Sequence, residues 1–126
     1  MSNQELGPTL LIVEDDDMVR EAIKRMLFHL GCQTIAASSG EAALEIYESS
    51  QTPIAAVILD MTMPGLSGIQ TFHRLREIDT EVRVIVSTGD PYSPAVEELE
   101  AHRLTYVIAK PFQAEELARA IQQALS

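Results

Sequence analysis

Five polar residues each follow a short run of apolar residues, and together they carry the chemistry that this sequence can do. Glu14 and Asp15 follow the first run, and Asp60, Thr88 and Lys110 follow three later ones. Short, uninterrupted apolar runs are typical of strands buried on both faces of a parallel sheet. Because open α/β sheets place their ligand sites at the carboxyl ends of the strands, we expect these side chains to meet at one edge.

The types of these residues favour phosphoryl transfer at a metal site. Carboxylates in a small volume raise one another's pKa and destabilise the site unless a cation neutralises them. Oxygen ligands suit a hard ion, and Mg²⁺ commonly takes one or two carboxylates and keeps several waters. Asp60 can then act as a nucleophile toward phosphorus, while Lys110 and Thr88 stabilise charge on the phosphoryl oxygens. In the simpler interpretation, Asp60 only starts a turn and Lys110 is only a counterion.

The rest of the sequence predicts an α/β fold in which five strands alternate with five helices. We expect the strands at residues 9–13, 33–37, 55–59, 82–86 and 106–109. Apolar residues at three- and four-residue spacing predict a helix after each strand. Predicted helix caps are Asp16 or Asp17, a capping box of Ser38 and Ser39 with Glu41, and Ser93 before Pro94. Such alternation implies a doubly wound parallel sheet, for which we predict the strand order 2-1-3-4-5.

Length and composition indicate one soluble globular domain. The chain has 126 residues, 46% of them hydrophobic and 22% charged. We expect residues 1–8 to be a loose tail and residues 9–126 to form the domain. The net charge of −10 disfavours direct binding to nucleic acid or to a membrane surface, and suits a divalent cation or a basic partner. Since no apolar run reaches the length of a membrane span and no signal pattern is present, the expected location is the cytoplasm.

Four segments resemble those of a known family. In chain order they are LLIVEDD, VILDMTMPGLSG, VIVSTG and AKPF, at compatible spacing over residues 9–125. Together they resemble the receiver domain of the two-component response regulators, which includes the chemotaxis receivers. The resemblance implies a flavodoxin-like (βα)5 fold, Mg²⁺ as cofactor, and phosphorylation on an aspartate by a histidine kinase or a phosphotransfer protein.

The resemblance also assigns roles to individual residues. Asp60 would be the phosphoacceptor, and Thr88 and Lys110 would contact the phosphoryl group. The Lys110-Pro111 peptide bond would be cis, an option that proline makes accessible. Four residues would serve the metal ion through oxygen ligands: Glu14 by way of a bound water, Asp15, Asp60 and the backbone carbonyl of Thr62.

Two positions depart from the commonest pattern of the family. Receivers often carry an aromatic residue three places before the lysine, but that position is Val107 here. Tyr106 lies one place earlier and should face the other side of its strand, which puts an aromatic rotamer switch in doubt. The residues two places beyond the acceptor and the threonine, which tune hydrolysis in the family, are Thr62 and Asp90.

The resemblance predicts a signalling module that is not an enzyme beyond its own phosphorylation and dephosphorylation. Its signal would leave through the face formed by helix 4, strand 5 and helix 5, toward a downstream protein or a fused output module, with a phosphorylation-dependent dimer as a further option. Two alternatives stay open. One is a Mg²⁺-dependent aspartyl-phosphate hydrolase of the haloacid dehalogenase type, although Thr62 stands where that signature has a second aspartate. The other is an interaction domain that works without phosphorylation.

Overall fold

The computed structural model describes residues 7–63 and 65–126, which form five strands and five helices in strict alternation. The strands are β1 (Thr9–Val13), β2 (Gln33–Ala37), β3 (Ala56–Asp60), β4 (Val84–Thr88) and β5 (Thr105–Ala109). The helices are α1 (Asp17–His29), α2 (Gly40–Ser49), α3 (Gly68–Ile78), α4 (Pro94–Glu100) and α5 (Ala114–Leu125). All pairings are parallel and the order is β2-β1-β3-β4-β5, which confirms the predicted fold class and topology.

Two hydrophobic clusters cover the two faces of the sheet. Alternate strand residues such as Leu11 and Val57 pack with residues of α2, α3 and α4, among them Phe72. The intervening residues, such as Ile12 and Ile58, pack with residues of α1 and α5. The side chains of a strand alternate between faces, and β1, β3 and β4 are buried along their whole length. Their residues are therefore apolar, except for Thr9 at the start of β1 and the polar residues at the carboxyl ends of β3 and β4.

Two strands end later than the sequence predicted. β3 was expected at residues 55–59 and β4 at 82–86, but they end at Asp60 and Thr88. The ladder continues past the apolar run, because Asp60 pairs with Ser87 and Thr88 pairs with Ala109. Asp60 and Thr88 therefore belong to the last rungs of the sheet, where its ladder positions their backbone.

Side chains cap the helices mostly where the sequence predicted. Asp16 accepts the N–H groups of Met18 and Val19 at the start of α1, and Ser93 caps α4 before Pro94. The predicted capping box at α2 is wrong, because Ser39 caps this helix without a return bond from Glu41. A full capping box lies instead at the start of α3, where Ser67 Oγ accepts the N–H of Gln70 and Gln70 Oε1 accepts the N–H of Ser67.

The N-terminal segment is only partly described. Of the predicted tail, residues 1–6 lie outside the described residues, and the Pro8 carbonyl accepts the N–H of Gln33 at 2.9 Å. Among the helices that the structure describes, none combines the length and the apolar character that crossing a membrane requires.

Candidate functional site

The carboxyl ends of four strands bring the predicted site residues to one edge of the sheet. Glu14 and Asp15 follow β1, Asp60 and Thr88 end β3 and β4, and Lys110 follows β5. The N–H of Lys110 donates to the Thr88 carbonyl at 2.7 Å, which ties the last two strand ends together. The convergence predicted from the strand ends is therefore present in the structure.

Three carboxylates form the acidic part of the site. Glu14, Asp15 and Asp60 each offer one oxygen, and these oxygens lie within 4.8 Å of one another. Glu14 and Asp60 are buried, at 2% and 4% exposure, while Asp15 is exposed. An oxygen-only set that is half open to solvent fits a hard cation such as Mg²⁺, which keeps several waters.

Lys110 neutralises the buried part of this cluster. Its Nζ donates to Asp60 Oδ1 at 2.9 Å and to Glu14 Oε1 at 3.1 Å. Burial alone would lower the pKa of Lys110, but the hydrogen bonds to Asp60 and Glu14 outweigh burial and raise it. Burial raises the pKa of Glu14 above its ordinary value of 4.5, and the nearby Asp60 carboxylate adds to the rise. The site thus holds more negative charge than one ammonium group can balance.

Thr88 connects the site to the loop that precedes α4. Its side chain is buried, and its Oγ1 accepts the backbone N–H of Asp90 at 3.0 Å. A threonine hydroxyl that accepts one hydrogen bond still has its own proton to donate. Contact between Thr88 and a phosphoryl group stays a prediction.

The loop after β3 is held by contacts on both sides. The N–H of Thr62 donates to Asp60 Oδ1 at 3.3 Å, and the role of the Thr62 carbonyl as a metal ligand stays a prediction. Gly68 opens α3 directly against the strand, since a Cβ there would lie 2.7 Å from the Asp60 carbonyl oxygen. Glu41 of α2 accepts the N–H of Leu66 at 3.3 Å, a contact that the sequence analysis missed.

The remaining predictions concern the end of β5. The Lys110-Pro111 peptide bond is cis, as predicted. Val107 packs against the cluster of α2, α3 and α4, whereas Tyr106 packs on the opposite face of the sheet. The position that carries an aromatic residue in many receivers therefore holds a valine on the α4 side.

Ser87 is a further polar residue beside the site. It pairs with Asp60 across the ladder and is 1% exposed, and its hydroxyl has no hydrogen-bond partner among the residues that the structure describes. A serine within a strand carries no chemical signature of its own, so residue type alone assigns Ser87 no role beyond that of a strand residue.

Comparison with known proteins agrees with this geometry. The chain matches the family model described as "Response regulator receiver domain" over residues 10–122. It is 33% identical to sporulation initiation phosphotransferase F of Bacillus subtilis, over 95% of this chain and 95% of that protein. It is 32% identical to the nitrate/nitrite response regulator NarL of Escherichia coli over 98% of this chain, but it spans only 57% of NarL.

Solved structures share the fold. The response regulator TrrA from Thermotoga maritima, solved in complex with Mg²⁺ and BeF, superposes with a TM-score of 0.82 at 29% identity, covering 94% of this chain and 99% of that one. The family match spans nearly the whole chain and contains every acid of the cluster. The chain therefore belongs to the response regulator receiver domain family.

Proposed function

We propose that residues 9–126 form a phosphoacceptor module of a two-component phosphorelay, phosphorylated on Asp60 by a histidine kinase or a phosphotransfer protein. The observation that carries this proposal is the bridge of Lys110 Nζ to Asp60 and Glu14, inside a cluster of three carboxylates. Receiver domains act with histidine kinases and output domains. The cytoplasm, the location predicted from the sequence, suits this role.

Asp60 supplies the nucleophile. Its Oδ1 is held by Lys110 Nζ and by the N–H of Thr62, whereas Oδ2 has no hydrogen-bond partner in the described part of the chain. We assign the attack to Oδ2. The new bond joins Oδ2 to phosphorus, the bond from phosphorus to the donor's histidine nitrogen breaks, and its electron pair stays on that nitrogen. No base is needed, because an aspartate is already ionised near neutral pH.

Mg²⁺ would be held by the carboxylates of Asp15 and Asp60 and by the Thr62 carbonyl, with Glu14 holding a bound water, and it would supply positive charge opposite the phosphoryl oxygens. Lys110 supplies the second positive charge and keeps the Asp60 carboxylate in place before the reaction. The donor set described above, oxygen-only and partly open to solvent, supports this assignment.

The signal leaves through the loop that precedes α4. When the Thr88 hydroxyl donates to a phosphoryl oxygen, its Oγ1 can keep the N–H of Asp90, so that residues 89–93 follow the movement of Thr88. Since Val107 cannot act as an aromatic switch, this backbone connection carries the change to the face of α4, β5 and α5. Phosphorylation then shifts a two-state equilibrium of that face toward its partner-binding form.

Labelling with a small phosphodonor tests the proposal. Acetyl phosphate with Mg²⁺ should add one phosphoryl group by intact mass, and a chelator or Asp60→Asn should abolish the addition. Asp16→Asn is the matched control, because Asp16 is a nearby exposed acid that caps α1 and an asparagine preserves the cap.

The other outcomes are equally distinct. Full labelling of the Asp60→Asn variant would place the phosphoryl group on another residue. An amide spectrum unchanged by beryllofluoride and Mg²⁺ would favour the interaction domain that works without phosphorylation. Sustained turnover of a generic phosphomonoester would favour the hydrolase.

A further inference from the structure

The buried hydroxyl of Ser87 lies on the strand next to Asp60 and takes no part in the proposed phosphoryl transfer. Ser87 pairs with Asp60 across the ladder between β3 and β4, and its carbonyl accepts the N–H of Met61 at 3.1 Å. The residue is 1% exposed, and its Oγ has no hydrogen-bond partner among the described residues. Because an unpaired polar group in a protein interior costs free energy, this hydroxyl points to a partner that becomes available in another state of the site.

Ser87 and Asp60 face the same side of the sheet. Side chains alternate along a strand, and Ile58 and Ile85, which lie two residues before them, both pack on the α1 and α5 side. The register places Ser87 opposite Asp60 on the neighbouring strand, at a spacing of about 4.8 Å between the two backbones. Since a serine side chain can rotate among three staggered positions, its hydroxyl can turn toward the Asp60 carboxyl group.

Other donors occupy Asp60 Oδ1 while Asp60 carries no phosphoryl group. This oxygen accepts Lys110 Nζ at 2.9 Å and the N–H of Thr62 at 3.3 Å. A carboxylate oxygen has two lone pairs, so these two donors use the capacity of Oδ1. The Ser87 hydroxyl can therefore donate to this oxygen only after one of the two donors has left.

We infer that Ser87 is a positioning residue of the phosphorylated site, whose hydroxyl donates to Asp60 Oδ1 in place of Lys110. The inference rests on the proposed phosphorylation of Asp60. Once Oδ2 is bonded to phosphorus, the negative charge lies on the phosphoryl oxygens, and Oδ1 becomes an uncharged carbonyl oxygen. Lys110 Nζ then follows the charge to the phosphoryl group, since hydrogen bonds between charged partners are the stronger ones. The exchange pairs a buried hydroxyl that was unpaired before, so it favours the phosphorylated form.

One test needs no phosphoryl group. Lys110→Met removes a donor that occupies Asp60 Oδ1, so in this background the Ser87 hydroxyl should bond to Asp60 in the unphosphorylated chain. Ser87→Ala should then lower the folding equilibrium constant of Lys110→Met about tenfold in urea unfolding, as expected for a hydrogen bond to a charged group, without destabilising the native chain. Thr9→Val, which removes a buried hydroxyl at the opposite end of the sheet, is the matched control and should have the same effect in both backgrounds.

Beryllofluoride with Mg²⁺, an analogue of the phosphoryl group, tests the exchange itself and serves also if Lys110→Met does not fold. We expect Ser87→Ala to weaken beryllofluoride binding about fivefold in an amide NMR titration, which corresponds to one hydrogen bond of ordinary strength. Ser87→Thr keeps a hydroxyl and should restore the native affinity. Thr9→Val should leave this affinity unchanged.

Two results would overturn the inference. One is an equal effect of Ser87→Ala on the stability of the native chain and of Lys110→Met, and the other is a beryllofluoride affinity that Ser87→Ala does not change. Labelling with acetyl phosphate separates either result from a failure of the phosphoacceptor proposal. If the native chain is labelled on Asp60 while Ser87→Ala binds beryllofluoride like the native chain, only the role of Ser87 is rejected. If the native chain is not labelled, the phosphoacceptor proposal itself fails.

Discussion

In the absence of Mg²⁺, Lys110 should contribute far more to the free energy of unfolding than an exposed lysine does. Its Nζ lies 2.9 Å from Asp60 and 3.1 Å from Glu14, whose side chains are only 4% and 3% exposed. The substitution Lys110→Met keeps most of the apolar stem but removes the cation, which leaves two buried acids facing each other. Removing one partner of a buried ion pair is strongly destabilising, because the remaining charge has no compensation.

The loss of unfolding free energy caused by Lys110→Met has an upper limit, because a buried acid takes up a proton once keeping its charge costs more free energy than protonation. Neutralising Glu14, whose ordinary pKa is 4.5, costs about 3.4 kcal/mol at pH 7 and about 1.4 kcal/mol at pH 5.5, at about 1.36 kcal/mol for each pH unit. We therefore expect Lys110→Met to lower the free energy of unfolding by about 2–3 kcal/mol at pH 7 and by about 1 kcal/mol at pH 5.5.

The sign of this pH dependence follows from linkage. An acid with a raised pKa in the folded state contributes stability that is fully present below its ordinary pKa and is lost as the pH rises through the raised value. Removing Lys110 raises the pKa of Glu14 further. The difference in stability between the two proteins should therefore widen as the pH rises above 4.5.

Urea unfolding at both pH values, first with a chelator and then with Mg²⁺, measures the effect. Lys24→Met is the control, because Lys24 is 41% exposed and its pairing with Glu21 at 3.3 Å should be worth no more than about 0.5 kcal/mol. Mg²⁺ should reduce the difference in unfolding free energy between the native chain and Lys110→Met, since it supplies positive charge to the same carboxylates. The reasoning would be refuted if Lys110→Met and Lys24→Met were equally stable at pH 7 without Mg²⁺. It would also be refuted if the stability difference between the native chain and Lys110→Met were the same at both pH values.

Three further substitutions, the first with a matched control, test the surroundings of the site by urea unfolding. Gly68→Ala should destabilise by about 1–3 kcal/mol, because its Cβ would lie 2.7 Å from the Asp60 carbonyl oxygen, whereas Gly89→Ala, with nothing within 4 Å, should change stability by less than about 0.5 kcal/mol. Ser87→Ala should leave stability unchanged or raise it by up to about 1 kcal/mol, and a clear loss would reveal a partner for the hydroxyl. With a chelator present, the raised pKa of Glu14 predicts that the native chain loses stability as the pH rises above 4.5. Glu14→Gln should remove this loss, and an unchanged loss would assign it to another group.

The architecture was accessible from the sequence, because each strand buried on both faces leaves an uninterrupted apolar run. Right-handed crossovers then restrict the topology to few options, and the observed order is the predicted one. The strand ends were not accessible in the same way. Asp60 and Thr88 are polar, yet they occupy the last rungs of the ladder, since pairing with neighbouring strands continues after the apolar run stops.

Contacts between distant parts of the chain lay beyond any local pattern. The predicted capping box places Glu41 three residues after Ser38, but the structure caps α2 with Ser39, so Ala42 occupies the third position and the box cannot close. The Glu41 carboxylate instead accepts the N–H of Leu66, 25 residues away, which requires a close approach of α2 to the start of α3. That approach is set by Gly40, where a Cβ would lie 2.1 Å from the hydroxyl of Thr71.

Glu14 and Asp15 differ in burial because successive side chains along a strand point to opposite faces. This difference also explains which part of the site a sequence can predict. Ile12 and Ile108 pack on the α1 and α5 face, and Glu14 and Lys110 stand two residues beyond them on the same side. The two side chains therefore meet below the surface at 3.1 Å, while the neighbouring Asp15 is exposed. Residue types predicted a charged cluster. To predict which acid is buried and which is exposed, one also needs the side-chain period and the register of the neighbouring strands. This asymmetry leaves Asp15 open to solvent and pairs the buried Glu14 with an ammonium group, so the proposed metal site predicts that a cation approaches from the Asp15 side.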